Sequence, residues 1–338
     1  MVRLKDIALR AGVSVMTVSK VMRDAPDVSA ATKVRIRALA QEMGYVPDSL
    51  AQGLRTRTTR TFGLIIPAVT NPFFARAILA IEEQSHDLGY ELILAHHLND
   101  AAREENVIRR LLSRRVDGLI ISPVYRLAPS AGIYTELLES RVPAVILGQR
   151  PPFCASFPSV ETDDTLGSMA ATRHLLELGH RRIAFFSGPS AAVWAQERLE
   201  GYGRALRDAQ IEPDESLVFN AGATIEDGAS AALQMLNEGV QVTAIQASND
   251  MVAVGAATML LQQKLRIPQD ISIVGYGNIL LSEHFAVPLT TVRQPKFRLG
   301  VAAVEMLRKL LRREPVESKR LPTDLIIRSS SGRAPGDR

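Results

Sequence analysis

The apolar pattern at the start of the chain is typical of two short helices joined by a tight turn. In the first helix the apolar side chains recur at i, i+3, i+4 and i+7, at Leu4, Ile7, Ala8 and Ala11. Gly12 predicts the end of this helix, because glycine tolerates the left-handed backbone found after a last turn. Ser14 is suited to cap a second helix, in which Val18, Val21 and Met22 face inward.

A third helix is predicted to begin after Ser29 and to end at Gly44. We expect its Val34, Leu39 and Met43 to pack on the first two helices. Three short helices with a glycine turn between the first two predict a helix-turn-helix domain. The alternative is a small helical bundle with no role in DNA binding.

Beyond residue 60, short apolar runs alternate with amphipathic helical stretches. The runs are FGLII (62–66), YELIL (90–94), DGLII (117–121), PAVIL (143–147), RIAFF (182–186), TAIQA (243–247) and ISIVG (271–275). Strands of this length separated by helices predict an α/β fold with mostly parallel sheets covered on both faces. Such sheets bind ligands at the carboxyl ends of their strands. The candidate side chains there are Asn71, Phe73, Phe74, Asp100, Gln149, Asn249 and Asn278.

Charge is distributed unevenly along this chain of 338 residues, whose length predicts two or three folding units. The net charge is +4, but residues 1–60 alone carry +6 and the remainder carries −2. This asymmetry favours a polyanionic partner for the N-terminal segment, although a solvated basic surface would give the same count. The mean hydropathy is +0.04, and 46% of the residues are hydrophobic, as in a globular protein.

Sequence motifs for catalysis and cofactor binding are absent. The chain contains no phosphate-binding G-x-x-x-x-G-K-[ST], no dinucleotide-binding G-x-G-x-x-G after a strand, no G-x-S-x-G and no H-E-x-x-H. The six histidines are scattered, and His96 and His97 have no carboxylate or cysteine at metal-ligand spacing. Cys154 is the only cysteine and is expected to be a buried thiol. We therefore expect no enzymatic activity, no cofactor and no metal.

The start of the chain lacks the apolar stretch of a secretory signal, and no window reaches eighteen uninterrupted apolar residues. These observations predict a cytoplasmic protein with no membrane partner.

The second helix is the predicted DNA-reading element, because a helix of this diameter fits the major groove. Val15, Met16 and Lys20 face outward, and lysine can donate to guanine, while the two apolar side chains can contact thymine methyl groups. Phosphate contacts are expected from polar and basic side chains around that helix, with Ser14 at its cap. These are Thr17, Ser19, Arg23, Lys33, Arg35 and Tyr45.

The chain resembles the lactose-repressor (LacI) family of regulators over nearly its whole length. The resemblance is carried by LKDIALRAGVSVMTVSKVM, VS (28–29), GYVP (44–47), LAQGLRTRTTRTFGLIIP (50–67), NPFF (71–74), RRVDGLI (114–120), HLLELGHRRIAF (174–185), ND (249–250), IPQDISIVGY (267–276) and PLTTVRQP (288–295). Arg3 departs from the family pattern, which usually has a capping threonine there, so the first helix is expected to begin less sharply.

The resemblance implies a DNA-binding domain over 1–47, a hinge over 48–60, a two-lobed domain over 61–322 like periplasmic sugar-binding proteins, and a C-terminal strand and tail over 323–338. The lobes would be 61–158 with 291–322, and 159–290. The hinge is polar and basic, and its one helical stretch is too short to be stable alone. In the family such a hinge helix forms on operator DNA, which places Leu54 as a wedge in the minor groove beside Arg55. A disordered tether is the alternative.

The same resemblance implies a small ligand in the cleft between the lobes. Phe73 and Phe74 would stack on the ligand, Arg198 would bind it through its guanidinium and Asn249 would hydrogen-bond it. Core packing would also explain the two phenylalanines, and a surface helix charge would also explain Arg198. Trp194 lies four residues before Arg198 and is a candidate cleft wall or a packing residue.

Two departures from the family pattern bear on the ligand. Gly148 and the segment 275–278, GYGN, lack acidic residues that are frequent in the family. We expect the cleft, with Arg198, Gln149 and His96, to tolerate a sugar acid or sugar phosphate.

These observations together predict a repressor that binds palindromic operator DNA as a homodimer and is controlled by a sugar-like effector. A periplasmic-type sugar-binding protein without a transcriptional role is the alternative function.

Overall fold

The structure is a computed structural model and describes residues 2–45 and 58–336. It divides into two compact units, Met1–Thr59 and Arg60–Arg338. Within the described ranges no helix has both the length and the apolar character needed to cross a membrane.

The N-terminal unit contains three helices, α1 (Leu4–Ala11), α2 (Val15–Met22) and α3 (Ala30–Glu42). Gly12 follows α1 with a left-handed φ of 66°, as the turn requires. The Ser14 hydroxyl caps α2 by accepting from Thr17 N at 3.1 Å. These features agree with the pattern predicted from the sequence.

The core of this unit is formed by one face of each helix. The buried side chains are Ile7, Ala8, Val18, Val21, Ile36 and Ala40. Val34 is 70% exposed, so the prediction that it packs on the first two helices is wrong. Ile36 and Ala40 occupy that place because they lie one turn apart on the inward face of α3. At the start of α1, the Asp6 carboxylate accepts from Arg3 N at 2.8 Å, which satisfies a free backbone donor without a threonine.

The C-terminal unit alternates strands and helices. Its strands are β1 (Thr61–Ile66), β2 (Glu91–His96), β3 (Gly118–Ile121), β4 (Ala144–Leu147), β5 (Ser159–Thr162), β6 (Ile183–Ser187), β7 (Val218–Asn220), β8 (Ala244–Ala247), β9 (Ser272–Gly277), β10 (Thr290–Arg293), β11 (Lys319–Leu321) and β12 (Asp324–Ile326). Its helices are α4 (Pro72–Asp87), α5 (Ala101–Ser113), α6 (Gly132–Ser140), α7 (Asp164–Glu177), α8 (Val193–Asp208), α9 (Ile225–Asn237), α10 (Asp250–Gln262), α11 (Leu280–His284) and α12 (Lys296–Leu311). Each of the seven predicted strands is present.

The strands form two six-stranded sheets, in the orders β11-β5-β4-β3-β1-β2 and β12-β10-β9-β8-β6-β7. The described strand pairs are parallel except β10 with β12. In β1, Leu64 packs against the cluster that includes α12, while its neighbour Ile65 packs against the cluster that includes α5. Both faces of the sheet are therefore buried, which explains the unbroken apolar runs of the sequence.

The chain passes between the sheets three times, at residues 162–164, 293–296 and 321–324. We call the part built on the first sheet (60–162 with 296–321) the first lobe and the part built on the second (163–293 with 324–336) the second lobe. The expected boundary at 158 falls four residues early, because β5 pairs with β4 of the first sheet. The expected boundary at 290 also falls early, because β10 belongs to the second sheet.

The segment after β12 packs on the second lobe. Ile273 N donates to Ser330 O at 2.8 Å, and His180 Nε2 bonds Gly332 O at 3.0 Å. The C-terminal segment is therefore part of the second lobe, and as far along as Ala334 its backbone N still donates to Leu178 O at 2.9 Å.

Candidate functional site

A cavity of about 330 Å³ lies between the two lobes, at the carboxyl ends of strands from both sheets. This is where an α/β protein of parallel sheets is expected to bind a ligand, and the volume is in the range of small-molecule sites. From the first lobe its walls include Asn71, Phe73, Phe74, Tyr125 and Gln149. From the second lobe they include Asp164, Trp194, Arg198, Asn249, Asp250 and Tyr276.

Seven of the nine effector-binding candidates proposed from the sequence line this cavity. They are Asn71, Phe73, Phe74, Gln149, Trp194, Arg198 and Asn249. Asn71 and Asn249 also cap helices: their side-chain oxygens accept from Phe73 N at 3.0 Å and from Val252 N at 2.9 Å. The amide carbonyls of both residues are therefore committed to the fold.

Asp100 and Asn278 lie outside the cavity walls. Asp100 caps α5 by accepting from Arg103 N at 2.7 Å, and it lies beside a separate surface pocket near the edge strand β2. Asn278 has a left-handed φ of 49°, and its Oδ1 accepts from Arg328 Nη2 at 2.8 Å. Each side chain is thus used by a local structural bond.

Aromatic rings line the cavity on both sides. Phe73 and Phe74 meet edge to face at 5.0 Å between ring centroids. Tyr125 of the first lobe meets Trp194 of the second lobe at 6.0 Å, so this pair crosses the cleft. Flat apolar walls of this kind favour ligands with an apolar ring face.

Arg198 and Asp164 form a buried ion pair at the cavity wall. Both Nε and Nη2 of Arg198 donate to Asp164 Oδ2, at 2.9 and 2.7 Å. Arg198 Nη1 donates to Ser248 O at 2.6 Å, and the guanidinium lies 3.7 Å from the ring centroid of Tyr276. Asp164 is 1% exposed and Arg198 is 6% exposed. The charge of this arginine is therefore neutralised within the protein.

A second carboxylate, that of Asp250, also lines the cavity. Its Oδ2 accepts from Ile279 N at 2.9 Å and from the Ser282 hydroxyl at 2.7 Å, while Oδ1 accepts from the Thr291 hydroxyl at 2.5 Å. These are neutral donors. The carboxylate therefore holds the loop after β9 in place.

These two carboxylates overturn the premise that the cleft has lost its acidic groups. The charged side chains in the described cavity walls are Asp164, Asp250 and Arg198. The one arginine is already paired with Asp164, and the buried Lys296 ammonium, which does not line the cavity, interacts with Asp250. The sequence comparison at Gly148 and 275–278 did not reveal these carboxylates, because other segments supply them, so tolerance of an anionic ligand cannot be argued from missing acidic groups.

Two adjacent histidines, His96 and His97, and the cysteine make contacts within the first lobe. His97 is buried, its Nε2 bonds Ser122 O at 2.9 Å, and burial lowers the pKa of its imidazole. His96 bonds the Arg103 guanidinium at 2.7 Å and lies outside the cavity walls. Cys154 is buried, and burial raises the pKa of its thiol. No group of three or more metal-ligating side chains occurs within residues 2–45 and 58–336.

The candidate DNA-reading surface is the outward side of α2. Met16 is 63% exposed and Val15 is also exposed, so both apolar side chains are available for contact on this side of α2. Lys20 Nζ forms an ion pair with Asp27, which lowers the pKa of that carboxyl group. Ser14 and Thr17 bond each other through their hydroxyls at 2.9 Å.

The basic side chains expected at phosphates lie around this helix. Arg23 Nε donates to Ser19 O at 2.9 Å, and Arg35 Nη2 donates to Ala11 O at 3.4 Å. Lys33 Nζ lies 3.1 Å from a carboxylate oxygen of Asp24. Tyr45 packs against the core of the unit. The two hinge candidates, Leu54 and Arg55, lie outside the described residues.

Asp164, Asp250, Tyr125 and Tyr276 were missed by the sequence reasoning. Asp164 follows β5, a strand that the apolar pattern did not predict. Asp250 follows Asn249 directly, and its position after β8 was the available signal.

Comparison with known proteins agrees with both units. Residues 3–48 match the family model of bacterial regulatory proteins of the lacI family, and residues 172–331 match a periplasmic binding protein-like domain. The chain is 33% identical over 337 residues to the HTH-type transcriptional repressor PurR of Photobacterium profundum, with 98% of each chain covered.

Two solved structures are similar to the whole chain. The lac repressor dimer bound to operator and the anti-inducer ONPF has a TM-score of 0.87 and 30% identity, covering 98% of this chain and 99% of that one. The complex of the transcriptional regulator CelR with cellobiose has a TM-score of 0.74 and 31% identity, covering 98% and 100%. These similarities confirm the fold class and family expected from the sequence. The chain belongs to the LacI family of bacterial transcriptional regulators.

Proposed function

We propose that this regulator represses transcription by binding a palindromic operator as a homodimer, and that a small uncharged effector in the interlobe cavity controls this binding. The observation that carries the proposal is that one chain contains both a helix-turn-helix unit and a lined cavity between two lobes. A binding protein without a transcriptional role would have no use for the N-terminal unit. The chain acts by binding in the cytoplasm, where its DNA lies, and not by catalysis.

Sequence reading is assigned to the exposed side of α2. Lys20 can donate to guanine, while Val15 and Met16 can contact thymine methyl groups. Asp27 must release Lys20 for this contact, since the two form an ion pair. Lys33 and the other basic side chains around α2 are assigned to phosphates, which position the domain without reading sequence.

The hinge assignment still rests on the sequence. Leu54, with Arg55 beside it, is proposed to enter the minor groove as a wedge between base steps. Replacing Leu54 with alanine should weaken operator binding and leave effector affinity unchanged, and equal operator affinity would contradict the wedge.

An uncharged effector is favoured by the electrostatics of the cavity. Three N–H donors of Arg198 already bond Asp164 and Ser248 O, and the Asp164 carboxylate compensates its charge. Arg198 therefore offers no uncompensated positive charge to an anionic ligand. The Asp250 carboxylate lines the cavity, whereas the Lys296 ammonium that interacts with it does not, so an anionic ligand would meet the carboxylate first. The aromatic walls and the side-chain carbonyl oxygen of Gln149 suit a sugar ring with hydroxyl groups, and the CelR relative binds such a molecule, cellobiose.

Calorimetric titration of the full-length protein tests this assignment. The neutral sugars D-glucose, D-ribose and cellobiose are compared with glucuronate and glucose 6-phosphate, which keep the sugar ring. We expect at least one neutral sugar to bind, and the anion of matched size to bind at least about tenfold more weakly. Tighter binding of an anion than of its neutral counterpart would overturn the assignment.

A further inference from the structure

One carboxylate of the second lobe is bonded by two side chains of the first lobe. Glu197 lies in the second turn of α8, and its Oε2 accepts from Gln149 Nε2 at 2.7 Å. Its Oε1 accepts from Arg320 Nη2 at 2.6 Å. Gln149 follows β4 and Arg320 lies in β11, so both donors belong to the first lobe. Glu197 therefore bridges the cleft.

Gln149 and Arg320, the two donors to Glu197, each make a second hydrogen bond within the first lobe. The same amide nitrogen of Gln149 also donates to Thr162 O at 2.8 Å, at the first crossing between the lobes. Arg320 Nη2 also bonds Glu161 Oε2 at 3.2 Å, within the same sheet. These bonds hold the two donors in position to receive the Glu197 carboxylate, which lowers the entropy cost of forming the bridge.

The bridge is partly withdrawn from water. The Glu197 side chain is 19% exposed, and desolvation raises the pKa of its carboxyl group although both neighbours act to lower it. Separation of the lobes would return this carboxylate to water and remove both bonds. Because the two effects oppose each other, a small change at this position should shift the balance between closed and open lobes.

The neighbours of Glu197 on α8 form part of the cavity. Trp194, one turn earlier, meets Tyr125 across the cleft, and Arg198, the next residue, holds Asp164. A movement of α8 away from the first lobe would therefore carry the cavity wall with it.

We propose that Glu197 is a positioning residue that holds the lobes closed and orients Gln149 in the cavity wall, so that it sets effector affinity without touching the effector. This inference rests on the proposed function for its effect on affinity. The effect on lobe closure does not depend on the identity of the effector.

Lobe closure is measured in the full-length protein with spin labels at Glu139→Cys in the first lobe and Glu238→Cys in the second. Both positions are exposed, and the native Cys154 is buried and escapes labelling. The Glu197→Gln variant removes the charge and places an amide NH2 group against one of the two donors. We expect a longer and broader distance distribution for this variant.

Glu200→Gln is the matched control. It lies on the same helix, and its carboxylate bonds Arg204 and Arg207 of that helix, so it should leave the distance distribution unchanged. Arg320→Gln removes the ion pair with Glu197 by changing its more exposed partner. This variant should also open the lobes, and it provides the test if Glu197→Gln folds poorly. Distance distributions of both bridge variants that match those of the wild type and the control would overturn the proposal.

Affinity gives the second readout. Titration of D-ribose, D-glucose and cellobiose should show about tenfold weaker binding to Glu197→Gln than to the wild type. Combining Glu197→Gln with Arg320→Gln should give less than the product of the two single losses, because both remove one bridge. If Glu197→Gln opens the lobes but binds these sugars as tightly as the wild type, the proposed effect of Glu197 on effector affinity is overturned. If no sugar binds the wild type, the proposed effector class fails, while the spin-label distances still decide the role of Glu197.

Discussion

The buried ion pair at the cavity wall gives a quantitative test. In the Asp164→Asn variant the Arg198 guanidinium keeps its charge but loses the carboxylate that accepts two of its bonds. Both residues are more than nine-tenths buried. Removing one partner of a buried pair leaves an uncompensated charge and costs about 3–5 kcal/mol in the free energy of unfolding. The cost falls on the C-terminal unit, since both residues lie in its second lobe.

Urea unfolding followed by far-ultraviolet circular dichroism measures this loss. Asp163→Asn is the matched control, because the Asp163 side chain accepts from Leu166 N at 3.0 Å as the cap of α7, and asparagine caps a helix as well as aspartate. We expect the control to stay within about 0.5 kcal/mol of the wild type. A loss below about 1 kcal/mol in Asp164→Asn would refute the claim that Asp164 neutralises Arg198.

Ligand selectivity should change in the same variant. With Arg198 unpaired, affinity for glucuronate relative to D-glucose should rise by at least about tenfold, because a ligand carboxylate can then pair with the Arg198 guanidinium at the cavity wall. An unchanged ratio would show that this pair does not determine the preference for neutral ligands.

Three further outcomes are expected. In selections from random duplexes, Lys20→Ala should relax the base preference. Arg35→Ala should instead weaken binding to all sequences and reduce the slope of log affinity against log salt concentration by about one. The reverse pattern would exchange the two roles. Asp27→Asn should release Lys20, tightening binding to random duplexes and steepening its salt dependence, and unchanged salt dependence would contradict this masking. Burial lowers the pKa of His180, so the unfolded chain binds more protons and stability falls as the pH drops below about 6.5. His180→Gln should make that fall shallower in urea unfolding between pH 8 and 5, and part of the fall should remain because burial also lowers the pKa of His97 and His174; an unchanged slope would contradict this role of His180.

Local pattern was sufficient to predict the helices of the N-terminal unit and the long strands of the C-terminal unit. The i, i+3, i+4, i+7 spacing predicts α1, and Gly12 predicts its end. Strands such as β1 are recognised in the sequence because burial of both faces gives an unbroken apolar run. The short strands β7, β11 and β12 span only three residues each and carry no distinct pattern. Val34 was misplaced because an apolar residue on a short helix does not reveal which face is inward.

The chemistry of the cavity depends on pairs that are distant in sequence. Asp164 bonds Arg198, 34 positions later, and Tyr276, 112 positions later. Gln149 and Glu197 are 48 positions apart. Such pairs are created by the packing of two lobes, so a pattern along the chain can nominate the side chains but not their partners. Asn278 was nominated correctly as a loop residue after a strand, yet its bond to Arg328 turns it away.

The central claim is that occupancy of the interlobe cavity controls DNA binding by the helix-turn-helix unit. The most direct measurement is the affinity of full-length protein for a duplex selected from a random pool, recorded by fluorescence anisotropy with and without a saturating neutral sugar identified by calorimetry. The account predicts a selected duplex with two-fold symmetry and an affinity that changes at least about fivefold when the sugar is present. A duplex affinity that stays the same while the cavity is filled would contradict it.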